Sequence, residues 1–304
     1  NLNMKNIDLF GNEEKKTLHV IGNGFDIHHG IDSRYSDFQK YLKETGQSYL
    51  AGQIETFYPS IVNSPNYKWG DLEKALGEID HEATYNECTS DIEIDYDHQT
   101  QSAAALEDVP QQRLEENLNS LHASFEKWVN HIDISSEKDE NLYQFNAEGV
   151  FLNFNYTETL EETYRIPRAS IIYIHGRRGG KEKLILGHCT ENDPSAAFSE
   201  DNTIYEVNAQ RGIINIANAQ RKNVHEIISA KKEFWLSIKD IERVITYGHS
   251  LSEVDIPYFK KIFESIDKNA EWHFGCHSED DKKRVESLVN HLGIDKQRYC
   301  CFNF

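Results

Sequence analysis

Apolar residues recur along this chain in two rhythms. From Tyr35 to Glu44 (YSDFQKYLKE), Tyr35, Phe38, Tyr41 and Leu42 fall on one helical face. Trp69 to Ile79 repeats the spacing with Trp69, Leu72, Leu76 and Ile79, and about Gln111 to His131 carries a stripe of Leu114, Leu118, Leu121, Phe125 and Trp128. Steps of three and four residues predict amphipathic helices. Dense short runs predict buried strands instead. They are Thr17 to Asn23 (TLHVIGN), Val150 to Phe154 (VFLNF), Ser170 to Ile174, Leu184 to Leu186, Arg243 to Tyr247, Glu271 to Gly275 and Arg298 to Phe302. Helical patterns separate several of them. One covers Ile256 to Ile266, and another follows Ser278, where SEDD supplies an N-cap and an acidic first turn.

Strand, helix and strand in succession imply βαβ units and a mainly parallel sheet. The chain therefore reads as a doubly wound α/β domain made of residues 4–33 and 149–304. Residues 34–148 are expected to form a helical insertion that acts as a lid within one compact unit.

Composition narrows the function. With 15 Phe, 15 Tyr and 4 Trp in 304 residues, the chain is not a disordered one. No apolar run approaches the ~18 residues of a membrane span, and no secretory signal is visible. The formal charge is −19, which disfavours a nucleic-acid-binding body. That charge is localised. Residues 71–140 hold 19 Asp and Glu against 4 Lys and Arg, a net of −15, which leaves −4 for the rest. The insertion is thus an acidic lid or partner surface, suited to a small ligand or a basic protein. Its most acidic stretch, Asp91 to Asp97, is expected to be a loop. The five cysteines, Cys88, Cys189, Cys276, Cys300 and Cys301, show no CxxC pair. Cys276 and Cys300 fall in apolar strand-like runs, as small hydrophobes do. A reducing cytoplasm is the expected compartment. Met4, the single methionine, reads as the natural start, with Asn1 to Asn3 extraneous.

Ligands of open α/β sheets bind outside the carboxyl ends of the strands. Small, polar and titratable residues gather at those ends here. Gly22-Asn23-Gly24-Phe25-Asp26 follows the first strand and Asn155-Tyr156-Thr157 the second. His175-Gly176 follows the third, and Gly248-His249-Ser250-Leu251 with Asp255 follows the Arg243 strand. Gly22-x-Gly24 permits a tight turn and close backbone approach to a ligand, and a helix start beyond it would attract phosphate. It is not the dinucleotide fingerprint, since position 27 is Ile27. Asp26 either fills the anion site itself or caps the next helix. His175 is a candidate proton acceptor, and His249 poses the same choice; each could equally be a core histidine. Asn155 could position water or a ribose hydroxyl, or simply form a turn. Trp69 and Glu73, four apart on the expected helix, are the lid candidates. Trp69 reads as core, and a solvated face is the commoner fate of a lone Glu. His28-His29 and His188-Cys189 are adjacent pairs, and no HExxH or clustered Cys/His spacing occurs, so no metal is expected. Neither GxxxxGK[ST] nor GxSxG is present.

These stretches carry a resemblance. Ile21-Gly22-Asn23-Gly24-Phe25-Asp26, Tyr35-Ser36-Asp37-Phe38, Trp69-x-Asp71-Leu72-Glu73, Asn155-Tyr156-Thr157-x-Thr159-Leu160-Glu161, Ile174-His175-Gly176 and Gly248-His249-Ser250-Leu251-Ser252-x-x-Asp255 together resemble the phage abortive-infection AbiH family. The resemblance implies a bacterial cytosolic antiphage protein. The four strand-end motifs also resemble the sirtuin-like, Rossmann-like NAD-binding fold. That resemblance implies that Gly22 and Gly24 meet a cofactor diphosphate, Asn155 the ribose, His175-Gly176 the general-base position and Gly248 to Leu251 the far side. Three residues depart from it. Asp26 replaces a small hydroxyl residue, Thr157 an aspartate and His249 a threonine, and the paired-cysteine zinc ribbon is missing. A protein deacetylase is therefore disfavoured. An NAD hydrolase, with NAD as substrate and His175 and Asn155 as catalytic residues, is the expectation.

Two other classes compete. A non-catalytic sensor would hold a nucleotide-like signal or a phage component in the same cleft. A nuclease or phosphoesterase would use His175, His249 and acids such as Asp26 or Glu73, with Arg177, Arg178, Lys181 and Lys183 as its basic patch. The expected partners are a small nucleotide and a phage-derived trigger or basic protein. Self-association into a homo-oligomer stays open.

Overall fold

The computed structural model describes residues 15–63, 69–93, 99–135, 143, 145 and 149–304. Six strands form one parallel sheet: β1 (Thr17–Ile21), β2 (Val150–Asn153), β3 (Ile171–Tyr173), β4 (Arg243–Tyr247), β5 (Glu271–Cys276) and β6 (Tyr299–Asn303). Their order is β3-β2-β1-β4-β5-β6. β1 pairs β2 from Leu18↔Val150 to Ile21↔Asn153, and β4 from Thr17↔Arg243 to Ile21↔Tyr247. This is the doubly wound, Rossmann-like order, and β1 and β4 flank its switch point. β1 and β4 are buried along their whole length because both of their faces are covered.

Alternate strand residues feed separate cores. Leu18, Val20, Leu152, Val244, Trp272 and Phe274 face one side of the sheet. That side is covered by α10 (Val224–Ala230), α11 (Lys232–Ser237), α12 (Ile256–Ser265) and α13 (Glu279–Leu292). Ile21, Phe151, Tyr173, Ile245 and Tyr247 face the other, with Phe25 of α1 (Asn23–His28) and Leu160 of α8 (Thr159–Tyr164). Ser278 caps α13 in a reciprocal capping box with Asp281, as the SEDD sequence predicts.

Between β1 and β2 the chain builds a helical layer. Its elements are α2 (Tyr35–Glu44), α3 (Ser48–Phe57), α4 (Ser60–Asn63), α5 (Leu72–Ala75), α6 (His81–Thr89) and α7 (Gln99–His131). They share a third core containing Phe38, Trp69, Leu118 and Phe125. α9 (Ile204–Ala219) packs on α6 and α7 and joins that core through Ala209 and Ile213, together with Leu184 and Leu186.

Several elements differ from their sequence patterns. α7 begins at Gln99 and runs through Pro110, which is itself buried. Proline removes one helix hydrogen bond, and α7 packs on α6 and α9. The helix expected over 69–79 is only Leu72–Ala75. Trp69 has φ +66°, and Gly77 lies where a Cβ would be 2.5 Å from the Thr190 hydroxyl. Leu184–Leu186 is not a strand. It shares one backbone bond with the sheet's edge loop, Ile185 N–H to His175 C=O at 2.9 Å, and turns its leucines into the helical layer. α3, α6 and α9 had no predicted counterpart, although Thr203-x-x-Glu206 forms a legible capping box at the start of α9. Cys276 is buried, whereas Cys300 and Cys301 are exposed on the edge strand β6. Met4 and most of the 91–97 stretch lie outside the described residues.

Candidate functional site

The carboxyl ends of β1, β2, β3 and β4 open into one cavity of about 130 Å³ at the switch point. Of the residues singled out from sequence, Gly22, Asn23 and Asp26 line it from the first turn, and Asn155, Tyr156 and Thr157 from the second. His175, His249, Ser250 and Asp255 complete it, and Glu73 enters from α5 in the helical layer. Gly24, Gly176, Gly248 and Trp69 do not line it. Trp69 is fully buried and donates its indole N–H to Glu55 at 2.9 Å, so the two lid candidates part company.

The glycines close one wall. Gly22 N–H donates to Tyr247 C=O at 2.9 Å, and Gly24 N–H to Gly248 C=O at 2.7 Å. A Cβ on Gly22 would lie 2.4 Å from His249 Cα, and one on Gly248 (φ +59°) 2.3 Å from Phe25 N. The glycines therefore let two backbones touch. The Gly24 N–H is already engaged and is not free for a phosphate.

Asp26 does not cap α1, whose N-cap is Gly22. Its buried carboxylate accepts from the Thr157 and Thr159 hydroxyls, the latter at 2.7 Å, and from Asn155. Burial outweighs these bonds and pushes its pKa up to about 6. Asn155 also donates to the Gly22 carbonyl at 3.1 Å, which ties the second strand end to the first. Asn23 exchanges hydrogen bonds with Ser33, at 2.9 and 2.7 Å, and so holds the start of the helical layer against the cavity.

The two histidines are neutral and buried. His249 Nδ1 accepts from Leu251 N–H at 3.0 Å, which leaves the ring proton on Nε2, 3.7 Å from the Asp255 carboxylate. Burial first, then the charge of Lys222, lowers its pKa to about 3. Burial, again followed by Lys222, holds His175 well below the usual histidine range. The His175 ring is held by a backbone bond at Phe154, yet its Nε2 has no protein partner. Asp255 accepts from Ser252 at 3.0 Å through Oδ2, and its Oδ1 is likewise unpartnered. Burial raises the pKa of Asp255 and of Glu73.

Sequence reasoning missed several parts of the site. Tyr35 reads as a helix-face residue, yet it lines the cavity and bonds Glu73. Trp128 and Phe154 read as core and serve as cavity wall. Lys222 has no motif around it. Its side chain is fully buried and its ammonium stands 2.6 Å from Glu73 Oε1. Within the expected basic patch, Arg177 and Arg178 both pair with one carboxylate, Glu158. Among the described residues, no three His, Cys, Asp or Glu side chains gather in a way that could hold a metal ion.

Fold and cavity together define a Rossmann-like, doubly wound α/β protein with a buried polar pocket at its switch point. The sequence model of one family, described as Bacteriophage abortive infection AbiH, matches residues 18–275. The chain belongs to that family, which places it in bacterial antiphage defence. No curated protein matches it. No helix among the described residues is long and apolar enough to cross a membrane.

Proposed function

We propose that the pocket takes the nicotinamide–ribose end of NAD and that water cleaves its N-glycosidic bond there. The observation that carries this reading is the set of carboxyl groups on the cavity wall. Three carboxyl groups, Asp26, Glu73 and Asp255, line it beside a neutral His175 whose Nε2 is unpartnered. Breaking a glycosidic bond develops positive charge on the sugar, which such a wall favours. The same wall opposes the anionic phosphoester of a nuclease substrate. The cavity also suits one ring better than a dinucleotide, because 130 Å³ is near the size that holds benzene in an engineered core. The diphosphate and adenosine would therefore extend beyond it.

In the proposed reaction the bond from the ribose anomeric carbon to the pyridinium nitrogen breaks, and its electron pair stays on nitrogen. The water oxygen bonds to that carbon, and the water proton passes to His175 Nε2 and then to solvent. Asn155 and the Asp26–Thr157–Thr159 group hold the ribose side. The proposed setting is the bacterial cytoplasm, with a phage-derived trigger.

Incubating the protein with NAD, with and without lysate of phage-infected cells, tests this by release of nicotinamide. Wild type should release it, and His175→Ala should lower the rate by about 100-fold or more. No release under either condition, or equal release by His175→Ala, overturns it. The closed glycine wall favours a second reading, a sensor that binds without turnover. A nucleotide that raises the melting temperature yet is never consumed would establish that reading instead.

A further inference from the structure

Of the three carboxyl groups that line the pocket, one keeps an oxygen with neither a hydrogen bond nor an ion pair. Asp26 accepts from Thr159 at Oδ1, 2.7 Å away, and from Thr157 at Oδ2. Glu73 is held by the Lys222 ammonium at 2.6 Å and by the Tyr35 hydroxyl. Asp255 accepts from Ser252 through Oδ2 at 3.0 Å, and His249 Nε2 stands 3.7 Å from that same oxygen. Its Oδ1 has no protein partner, although the residue is only 7 % exposed. Asp255 also stands at the N-cap of α12, where an aspartate ordinarily bonds the first N–H groups of the helix, yet its side chain makes no such bond. The turn before it fixes its neighbour, since Leu251, at φ +51°, donates its N–H to His249 Nδ1 at 3.0 Å. The carboxylate is thus held by one oxygen and leaves the other unpaired at the cavity wall.

The other unpartnered atom on this wall, His175 Nε2, is an acceptor as well. The ring donates to the Phe154 backbone through its other nitrogen, so the neutral form carries a lone pair at Nε2. Donors on the same lining are engaged within the protein, Asn155 with Gly22 C=O at 3.1 Å and Tyr156 with Ile185 C=O at 2.8 Å. Tyr258, whose hydroxyl is also unpartnered, does not line the cavity. A buried acceptor left unpaired costs free energy, and a donor on the ligand removes that cost. A carboxylate on the ligand would instead meet Asp255 as a like charge.

We propose that Asp255 is the specificity-determining residue of the pocket: its Oδ1 accepts from an N–H on the substituent of the bound ring, so a ring bearing a carboxamide or an amidine is admitted and the matching carboxylate is refused. His175 Nε2, the second acceptor, is left for the water. This rests on the reading of the pocket given above and narrows it, because the carboxamide of NAD is then taken in preference to the carboxylate of its acid analogue.

Isothermal titration calorimetry with benzamidine, benzamide and benzoate tests this without NAD, since the three share one ring and differ in the donors they carry. Wild type should bind benzamidine most tightly and benzamide at least about 10-fold more tightly than benzoate. Asp255→Asn keeps the shape, removes the charge and adds an N–H, so it should weaken benzamidine by about 10-fold or more and bring benzoate level with benzamide. Asp26→Asn should leave the order of the three probes as in wild type, because both Asp26 oxygens are already bonded. Damage to the fold would weaken all three probes alike and leave their order unchanged, so the order is the readout, and the wild-type order decides alone if Asp255→Asn does not fold. Benzoate binding as tightly as benzamide in wild type, the same order in folded Asp255→Asn as in wild type, or no binding of any probe at millimolar concentration overturns the proposal. The predicted order together with no release of nicotinamide removes NAD as substrate and leaves the proposal standing. Release of nicotinamide together with equal binding of benzamide and benzoate does the reverse.

Discussion

Gly22, Gly24 and Gly248 meet backbone to backbone on one side of the pocket, while Thr157, His175 and Asp255 present side chains on the other. Both sets read from sequence as ligand-binding. In the fold, the glycine wall spends its N–H groups on neighbouring carbonyls at 2.7 and 2.9 Å. The opposite wall leaves His175 Nε2 and Asp255 Oδ1 without a protein partner. The glycines thus shape the switch point, and the polar wall retains the capacity for chemistry. Glycine-rich turns are required wherever backbones approach closely, whether the neighbour is a ligand or the protein's own chain.

Substitutions can break this contrast. The largest effect is expected at Gly248→Ala, where a Cβ meets Phe25 N at 2.3 Å and φ is +59°. Overpacking and left-handed strain should together cost about 2–5 kcal/mol in denaturant unfolding. Gly179→Ala, with φ +63° but open space around it, isolates the strain and should cost only about 1 kcal/mol. Equal losses would mean that the glycine wall is not closed as described.

On the polar wall the sign should reverse. The Asp26 pKa is raised from 3.8 to about 6 in the fold, so the folded state holds its proton more tightly. Stability contributed by the protonated form is therefore full below about pH 4 and lost as pH rises through 6. Asp26→Asn should stabilise the protein by about 1–3 kcal/mol above pH 6 and hardly at all at pH 4. Nicotinamide release, if it is the pocket's reaction, should fall at the same time. A loss of stability at pH 7 would show that the carboxylate serves the fold.

His19 separates fold from site among the histidines. It is fully buried in β1, stacks on Phe151 at a 4.7 Å centroid distance, and has no partner at either nitrogen. Burial, then Arg243, lowers its pKa from 6.5 to about 3. His19 alone should contribute a drop in stability of about 1.4 kcal/mol per pH unit as pH falls below 6.5, because only the unfolded chain takes up its proton. His19→Leu should lessen the slope by that share and leave the part due to His175 and His249, measured by urea unfolding between pH 7 and 5, with pocket ligand binding intact. The smallest effect is expected for Thr159→Ala. Loss of one bond to Asp26 should cost about 1 kcal/mol at pH 7 and less at pH 4.

Much of the α/β frame is legible along the chain. β1 and β4 announce themselves as dense short runs, because strands of an inner parallel sheet are covered on both faces, whereas β5 buries alternate residues, Trp272, Phe274 and Cys276. The Ser278 capping box marks α13, and the polar residues after four strands mark the pocket. The helical layer is harder to read. α3 carries Leu50, Ala51, Ile54 and Phe57 at helical spacing and was legible in principle, whereas α6 buries Thr84, Tyr85 and Cys88, a face too weakly apolar to stand out. Trp69, Leu72 and Leu76 are all buried as their spacing predicts, but on a turn and a single helical turn rather than a continuous helix.

Local sequence thus determined the strands, the parallel sheet and the residues that gather at its carboxyl ends, because periodicity and turn chemistry act over a few neighbours. Tertiary structure alone decided which of those residues face a cavity and which face each other. It closed Gly24 onto Gly248, bonded Thr157 and Thr159 to Asp26, and brought Lys222 to Glu73 across 149 positions of chain. Such long-range contacts carry no local signal. Burial then set the protonation of Asp26, His175 and His249, because a charge loses its hydration only once the fold has removed it from water.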